Sequence, residues 1–584
     1  MKLTGFIKKL LVGLYASIKR FPATLCISAA TAVMLIIVNE LEPTAGQANL
    51  DVLKRIAMIL ALGIPLSLCI THIFERKEGM RPAARILASL AGIAALLLYY
   101  FFLLPDFKMV SVTRYIALTT TLYITFILLP YFYKRENFEL YVVKLFIRFW
   151  ITVLYSGVLF AGMAAILFTI DQLLQIKVDE KMYLYVWFVI AGVFAPAFFL
   201  GGIPAFMQHL EKDDYSKLLR ILLLYIIMPL ITVYTAILYI YFAKAIITLE
   251  WPQGLVAHLV LWYSVISAAV IFLTSPLTEV NKWVRTFIFW FIKLILPVLV
   301  IMFVSIGIRI NAYGITENRY FVVLLGLWVT GVMIYLNLAK NKRNIVMPIS
   351  LAIIALLSVF GPWSAYSVSK LSQNIRFESI LDRNDMINNN MVSKPSKEIA
   401  ENDRNEISEI LLYFSNNHNL RDLKYLPADF KLENMEATFG FPLHQRGYQP
   451  NDGVFSFNMN TMNGEAVDIK GYDYLFDFRN NYQEKSMKAG NMEIQYTNQE
   501  AEIKIFNSGL VIYTSNLSEF VRQLYEKHQS GDYKEVDQKD MTFTVQDAAV
   551  DMKIIIYNAY GRMENETDEI TIDGIDFIVM AKVK

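Results

Sequence analysis

Eleven apolar runs follow one another through the first 370 residues, at approximately 21–39, 53–74, 84–104, 112–133, 140–170, 182–204, 217–248, 255–275, 285–308, 320–339 and 346–368. A bilayer core of roughly 30 Å needs about 20 apolar residues per helix, so each run is of spanning length. Charged or turn-forming residues separate them. The fifth and seventh exceed a perpendicular crossing, which predicts tilt or extension past the membrane surface. The expected fold is a polytopic α-helical membrane bundle of about 11 transmembrane helices with a C-terminal soluble α+β domain.

The pattern changes after Ser369. The stretch NDMINNNMVSKPSKEIAENDRNEI is too polar to bury a core and reads as a linker. A helix near 398–418 follows, with Ile399, Ile407, Ile410, Leu411 and Phe414 on one face. Beyond it the chain alternates in the strand period. AEIKIFNSGLVIYTS joins two β-rich runs through Ser-Gly, and EITIDGIDFIVMAKV carries Asp573-Gly574 between two more, predicting hairpins at both. A helix is predicted over 517–528, capped by Asn516 with Glu519 in the capping-box position. The expected division is 1–20, an amphipathic helix on the cytoplasmic surface; 21–369, the bundle; 370–397, the linker; and 398–584, an extracytoplasmic α+β domain.

Composition supports this frame: 55% of residues are hydrophobic, 18% are charged and the mean hydropathy is +0.41. The net charge of +2 conceals an asymmetry, with 31 basic and 17 acidic residues up to 369 against 23 and 35 thereafter. The acidic second part excludes nucleic acid as its partner. With the N-terminus inside, loops on the cytoplasmic side hold nineteen lysines and arginines and the opposite loops nine. Basic loops are retained in the cytoplasm. An odd number of spans then places the C-terminal domain outside, in the periplasm of a Gram-negative cell. Both cysteines, Cys26 and Cys69, lie within apolar runs and read as small buried hydrophobes.

No sequence pattern announces catalysis. There is no H-E-x-x-H, no G-x-S-x-G and no phosphate-binding loop, the histidines have no metal-ligand spacing, and no cofactor is expected. The Gly-Gly pair in AFFLGGIPAF reads as close helix packing. Asp473 and Asp477 could share a strand face, but solvated surface acids are the simpler reading. The exception is Lys293, about 12 Å into the ninth run at 1.5 Å per residue. Pro297, lacking an N–H, leaves the residue-293 carbonyl without its helical donor. Two readings stand: the lysine snorkels to the cytoplasmic headgroups, or it lines a polar cavity that accepts an anionic lipid or solute beside the broken helix.

On the opposite side, the loop RINAYGITENRYF gathers Arg309, Tyr313, Glu317 and Arg319. The charged groups could pair with one another and fix the loop, or leave an arginine for a phosphate headgroup. Together with FAPAFFLGGIP, WPQGLVAHLVL and GPWSAYSVSKLSQ, this loop resembles the multi-pass bacterial membrane proteins grouped as domain-of-unknown-function family 4153. The resemblance covers roughly residues 25 to 380, and YGITENRY is its most specific element. It implies residence in the bacterial inner membrane and brings no activity or cofactor. The candidate ligand-binding residues are thus Lys293, Pro297, Arg309, Tyr313, Glu317 and Arg319. The expected role is non-enzymatic: a binding, sensing or envelope-associated protein whose partners are membrane lipids. Transport of a small anionic solute or lipid, or an enzyme acting on a lipid-linked substrate at the outer face, are the alternatives.

Overall fold

The structure is a computed structural model, and it describes residues 12–42, 46–76, 82–132, 137–174, 176–204, 215–248, 255–397, 399–427, 429–443, 454–459, 467–479, 485–497, 501–528, 534–564 and 569–584. Most of the amphipathic helix expected over 1–20 lies outside these residues, although 12–20 are helical. Two compact units result. One comprises Met1–Glu398 and Ile410–Gly440, the other Ile399–Glu409 and Phe441–Lys584.

In the first unit the apolar runs become helices because a helix satisfies every backbone polar group internally, which a bilayer demands. They are α1 (Pro22–Leu41), α2 (Gln47–Arg76), α3 (Pro82–Phe102), α4 (Met109–Leu128), α5 (Phe138–Leu174), α6 (Lys181–Leu200), α7 (Lys217–Thr248), α8 (Leu255–Thr274), α9 (Lys282–Tyr313) and α10 (Glu317–Leu338). Among the described residues these ten are long and apolar enough to cross a membrane. Each turns large side chains such as Leu87, Leu154, Ile240 and Val300 outward, as lipid contact requires. Small polar residues join the helices inside: the Thr24 and Ser67 hydroxyls lie 2.8 Å apart, and Ser28 donates to the Gly192 carbonyl at 2.7 Å.

The eleventh run does not form one long helix. It gives a shorter α11 (Val346–Leu357), after which Gly361, at φ +86°, and Pro362 break the helix before α12 (Ala365–Arg383) begins. Even so, the segment returns along α10. The Arg343 N–H donates to the Tyr335 hydroxyl at 3.0 Å near the end of α10, and the Tyr320 hydroxyl donates to the Trp363 carbonyl at 2.7 Å near its start. Midway, the Trp328 indole reaches Ser350 at 2.9 Å.

Residues 370–397, expected as a linker, are structured. The second half of α12 occupies 370–383, and a two-strand hairpin follows, β1 (Ile387–Asn388) with β2 (Met391–Val392). Its turn residues, Asn389 at φ +48° and Asn390 at φ +62°, use the left-handed conformation that asparagine tolerates, so the asparagine-rich run encodes a turn. The amphipathic helix predicted over 398–418 is α13 (Glu401–Asn417), and all five residues of its expected face are buried. Its residues from Ile410 onward belong to the first unit, so the unit boundary falls inside this helix. Segment 410–440 is tied to α12: Asn374 donates to the Asp422 carbonyl at 3.0 Å and accepts from the Lys424 N–H at 2.9 Å.

The second unit contains two sheets. β5 (Lys485–Ala489), β6 (Met492–Thr497), β7 (Glu502–Asn507) and β8 (Leu510–Asn516) form an antiparallel meander, with the Ser508-Gly509 turn where the sequence predicts it. The other sheet runs in the order β4 (Tyr474–Asp477), β12 (Glu569–Val583), β11 (Val550–Glu564), β3 (Val454–Met459), β9 (Lys534–Val536), with β10 (Thr542–Gln546) also on β11. A helix, Leu517–His528, buries Leu517, Val521 and Leu524 against Phe455, Phe457 and the strands, and the Asn516 side chain caps it through the Ser518 N–H at 2.8 Å. The hairpin predicted at Asp573-Gly574 is absent. Tyr560 pairs with Gly574 and Gly561 with Ile572, so Asp573 is the extra residue of a β-bulge inside β12. Gly574 suits the bulge through its missing side chain, since a Cβ there would meet the Tyr560 ring at 2.5 Å.

Candidate functional site

α9 stops at Tyr313 because Gly314 adopts φ +68°, a conformation costly for any residue with a Cβ, and closes its N–H on the Ile310 carbonyl at 2.8 Å. The helix end then presents carbonyls in need of donors. Arg319 donates to the carbonyls of Tyr313 (3.0 Å) and Gly314 (2.7 Å). From α12, Gln373 donates to Tyr313 and Ile315, both at 3.1 Å, while Ser372 accepts the Ile315 N–H at 2.8 Å. Cationic and amide donors at a helix C-terminus also meet its negative dipole end favourably.

Glu317 is the first residue of α10, where the positive end of the helix dipole favours a carboxylate. Only 2% of its surface is exposed. The Tyr413 hydroxyl lies 2.7 and 2.8 Å from its two oxygens, and His418 Nε2 lies 2.7 Å from Oε1 and 3.1 Å from the Tyr413 oxygen. Tyr413 stands on α13, and the His418 N–H continues that helix by donating to the Phe414 carbonyl at 3.0 Å. Burial first, then the Glu317 charge and the hydrogen bond to it, push the Tyr413 phenol well above its ordinary value, so it serves as a fixed donor. The result is a closed carboxylate–imidazole–phenol cluster. Among the described residues no group of three or more His, Cys, Asp or Glu could hold a metal ion.

The structure thus brings Tyr313, Glu317 and Arg319 to one end of the bundle, but Glu317 turns to Tyr413 and His418, and Arg319 to the backbone. Arg309 is exposed on the last turns of α9. Lys293 and Pro297 lie elsewhere, Lys293 roughly 30 Å back along α9 at 1.5 Å per residue. The Lys293 ammonium sits 3.6 Å from the Phe289 ring centroid and 5.5 Å from that of Trp290, and both rings are more than half exposed. It is therefore directed along the outer surface of α9 towards the start of the helix. Tyr413 and His418 gave no sequence signal, since they lie 96 and 101 residues from their partner.

Sequence reasoning also passed over Arg148, which follows Lys144 by one helical turn in the otherwise apolar stretch KLFIRFW of α5. Its guanidinium lies 3.9 Å above the Phe198 ring and donates to the Phe198 carbonyl. Gly202 makes this possible, because a Cβ there would collide with the Arg148 side chain, 2.5 Å from Cδ and Cζ. Gly201 likewise abuts the Gly13 backbone, so the Gly-Gly pair does serve close packing. Gly202→Val is expected to expel the guanidinium and leave it desolvated, at a cost of about 2–4 kcal/mol. Thermal unfolding of the detergent-solubilised protein measures this, and a Gly202→Val variant as stable as wild type would show that Arg148 has another resting place.

A many-span helical bundle followed by a C-terminal α+β region defines a polytopic membrane protein. More particularly, the chain belongs to the family described as "Domain of unknown function (DUF4153)", whose sequence profile matches residues 25–387. It is also similar to the uncharacterised protein PM1469 of Pasteurella multocida (strain Pm70), 27% identical over 215 residues. That match spans 37% of this chain and 36% of the relative's length. No solved structure matches the chain.

Proposed function

We propose that this is a non-enzymatic protein of the bacterial inner membrane that binds or senses at its outer face, with the N-terminus in the cytoplasm and Glu317 at the extracytoplasmic end. The observation that carries this reading is the closure of the Glu317 cluster. Catalysis needs a nucleophile or base that substrate can reach, whereas both Glu317 oxygens are occupied and buried. The cluster is suited to hold segment 410–440 on the start of α10, a contact whose opening could report an outside event to the spans. The distribution of basic loops supports the orientation.

Hydrogen exchange on the full-length protein tests the role. Glu317→Gln, Tyr413→Phe and His418→Asn should each speed amide exchange across 410–440 by about tenfold or more while leaving the α8 and α9 amides protected. Unchanged exchange in all three variants would sink the reading. For orientation, a reporter active only in the periplasm should be active when fused after Lys584 and silent after Lys342, and the reverse result would invert the proposed topology.

A further inference from the structure

α10 and α11 face one another without closing. On α10, Leu324, Trp328, Gly331 and Tyr335 recur at the spacing of one helix face, and on α11 Val346, Ser350 and Ile354 do the same. Between the two faces runs a groove of about 290 Å³. The Trp328 indole crosses it to donate to Ser350 at 2.9 Å, and Ser350 in turn donates to the Met347 carbonyl at 3.0 Å. At one end the Tyr335 hydroxyl accepts the Arg343 N–H at 3.0 Å. Every polar side chain of the wall is thereby engaged, and what faces the groove is carbon. Gly331 widens its middle, since a Cβ there would meet nothing within 4 Å. Leu327, on the rim, is 55% exposed, so the groove opens sideways to the bilayer.

We propose that this groove holds one acyl chain of a membrane phospholipid, entering from the leaflet at the Tyr335 end. Length and section select the occupant. From Leu324 to Tyr335 the groove runs roughly 16 Å at 1.5 Å per residue, about the depth of one leaflet in a 30 Å hydrocarbon core. Spread over that length, its volume leaves a section of roughly 18 Å², enough for one extended hydrocarbon chain and far too narrow for a helix about 10 Å across. A partner span or a second copy of this chain can therefore cover the groove but not fill it. Water finds no free polar side chain there, and a void would forfeit dispersion contacts along both walls. Tyr335 lies one turn from the end of α10 at Leu338, so a chain whose carbonyl sits at that end reaches Leu324 near the bilayer middle. The inference rests neither on the Glu317 cluster nor on which face is cytoplasmic, and it survives the failure of either reading.

Photolabelling of the full-length protein tests it, in vesicles of phosphatidylethanolamine and phosphatidylglycerol doped with phosphatidylethanolamine that carries a diazirine midway along one acyl chain. Peptide mass spectrometry should find the label about tenfold denser at Trp328, Gly331 and Ser350 than at Ile93 and Leu154, which face outward on α3 and α5. Gly331→Phe, which fills the groove where no atom stands in the way, should bring the density down to the level of Ile93. Equal density at Trp328 and Ile93 in the wild-type protein means ordinary boundary lipid, and a lower density at Trp328 means that protein covers the groove. Either result overturns the proposal, even if the variant fails to fold. Dense labelling that persists in Gly331→Phe overturns it as well, because the chain then lies elsewhere. With the diazirine moved next to the ester carbonyl, the label should shift to Tyr335 and Val346, and a shift to Leu324 and Ile354 would overturn the assignment of the leaflet.

Discussion

Glu317→Ala should be the most damaging single substitution in the loop between α9 and α10, lowering stability by about 3–5 kcal/mol. Removing the carboxylate strands two buried donors at once, the Tyr413 hydroxyl and His418 Nε2, each within 2.8 Å of it. Tyr413→Phe removes only one donor and leaves Glu317 its imidazole, so about 1–2 kcal/mol is expected. The Glu317→Ala/Tyr413→Phe double variant should fall short of the sum by more than about 0.5 kcal/mol, because the second change deletes a group already without its acceptor. Denaturant unfolding of the detergent-solubilised protein provides all three values, and strict additivity would mean that the two side chains do not meet. The alkaline arm has a definite sign. The Tyr413 phenol titrates higher in the folded than in the unfolded chain, where its value is 10.0. Above about pH 10 the unfolded state therefore holds fewer protons, and stability falls as pH rises. Tyr413→Phe should flatten that decline.

The spans were legible because a bilayer imposes a length and a composition that survive any detail of packing. What packing decides was not legible. The apolar run at 346–368 has spanning length, yet Gly361 and Pro362 end its helix early, and the contacts of Tyr335, Trp328 and Tyr320 reveal that the segment still returns along α10. Local turn chemistry was ambiguous in both directions. Asn389-Asn390, read as linker, makes a tight turn at positive φ, and Asp573-Gly574, read as a turn, makes a bulge without positive φ, because a turn-forming dipeptide does not say which structure will use it. The site was half legible. Tyr313, Glu317 and Arg319 lie together by virtue of spacing alone, but the partners of Glu317 come from α13 and the turn after it, a long-range contact that no periodicity encodes. Arg148 was visible as a charge set, with Lys144, in an otherwise apolar stretch. Its explanation required Gly202, brought alongside by α6.

Excision of residues 395–584 should yield a fragment that folds in part. Phe441–Lys584 holds the strands, the helix Leu517–His528 and a continuous core from Phe455 to Ala581, so cooperative unfolding of that portion is expected. Segment 410–440 belongs to the first unit, and its partners there lie outside the fragment: Tyr413 and His418 at Glu317, Asp422 and Lys424 at Asn374, and Phe439 at Phe377 with ring centroids 6.3 Å apart. In the fragment those partners are missing, and the segment loses two buried polar contacts and its aromatic packing together. It should then be cleaved by trypsin at Arg421, Lys424 and Lys431 at least a hundredfold faster than in the full-length protein, since a loss of about 3 kcal/mol of local protection corresponds to that factor. Extending the fragment back to Ala365 restores α12 with Asn374 and Phe377 but not Glu317, so protection should return at Lys424 before it returns near His418. A 395–584 fragment as resistant as the full-length chain across 410–440 would mean that this segment folds on its own strength and that the Glu317 cluster holds nothing in place.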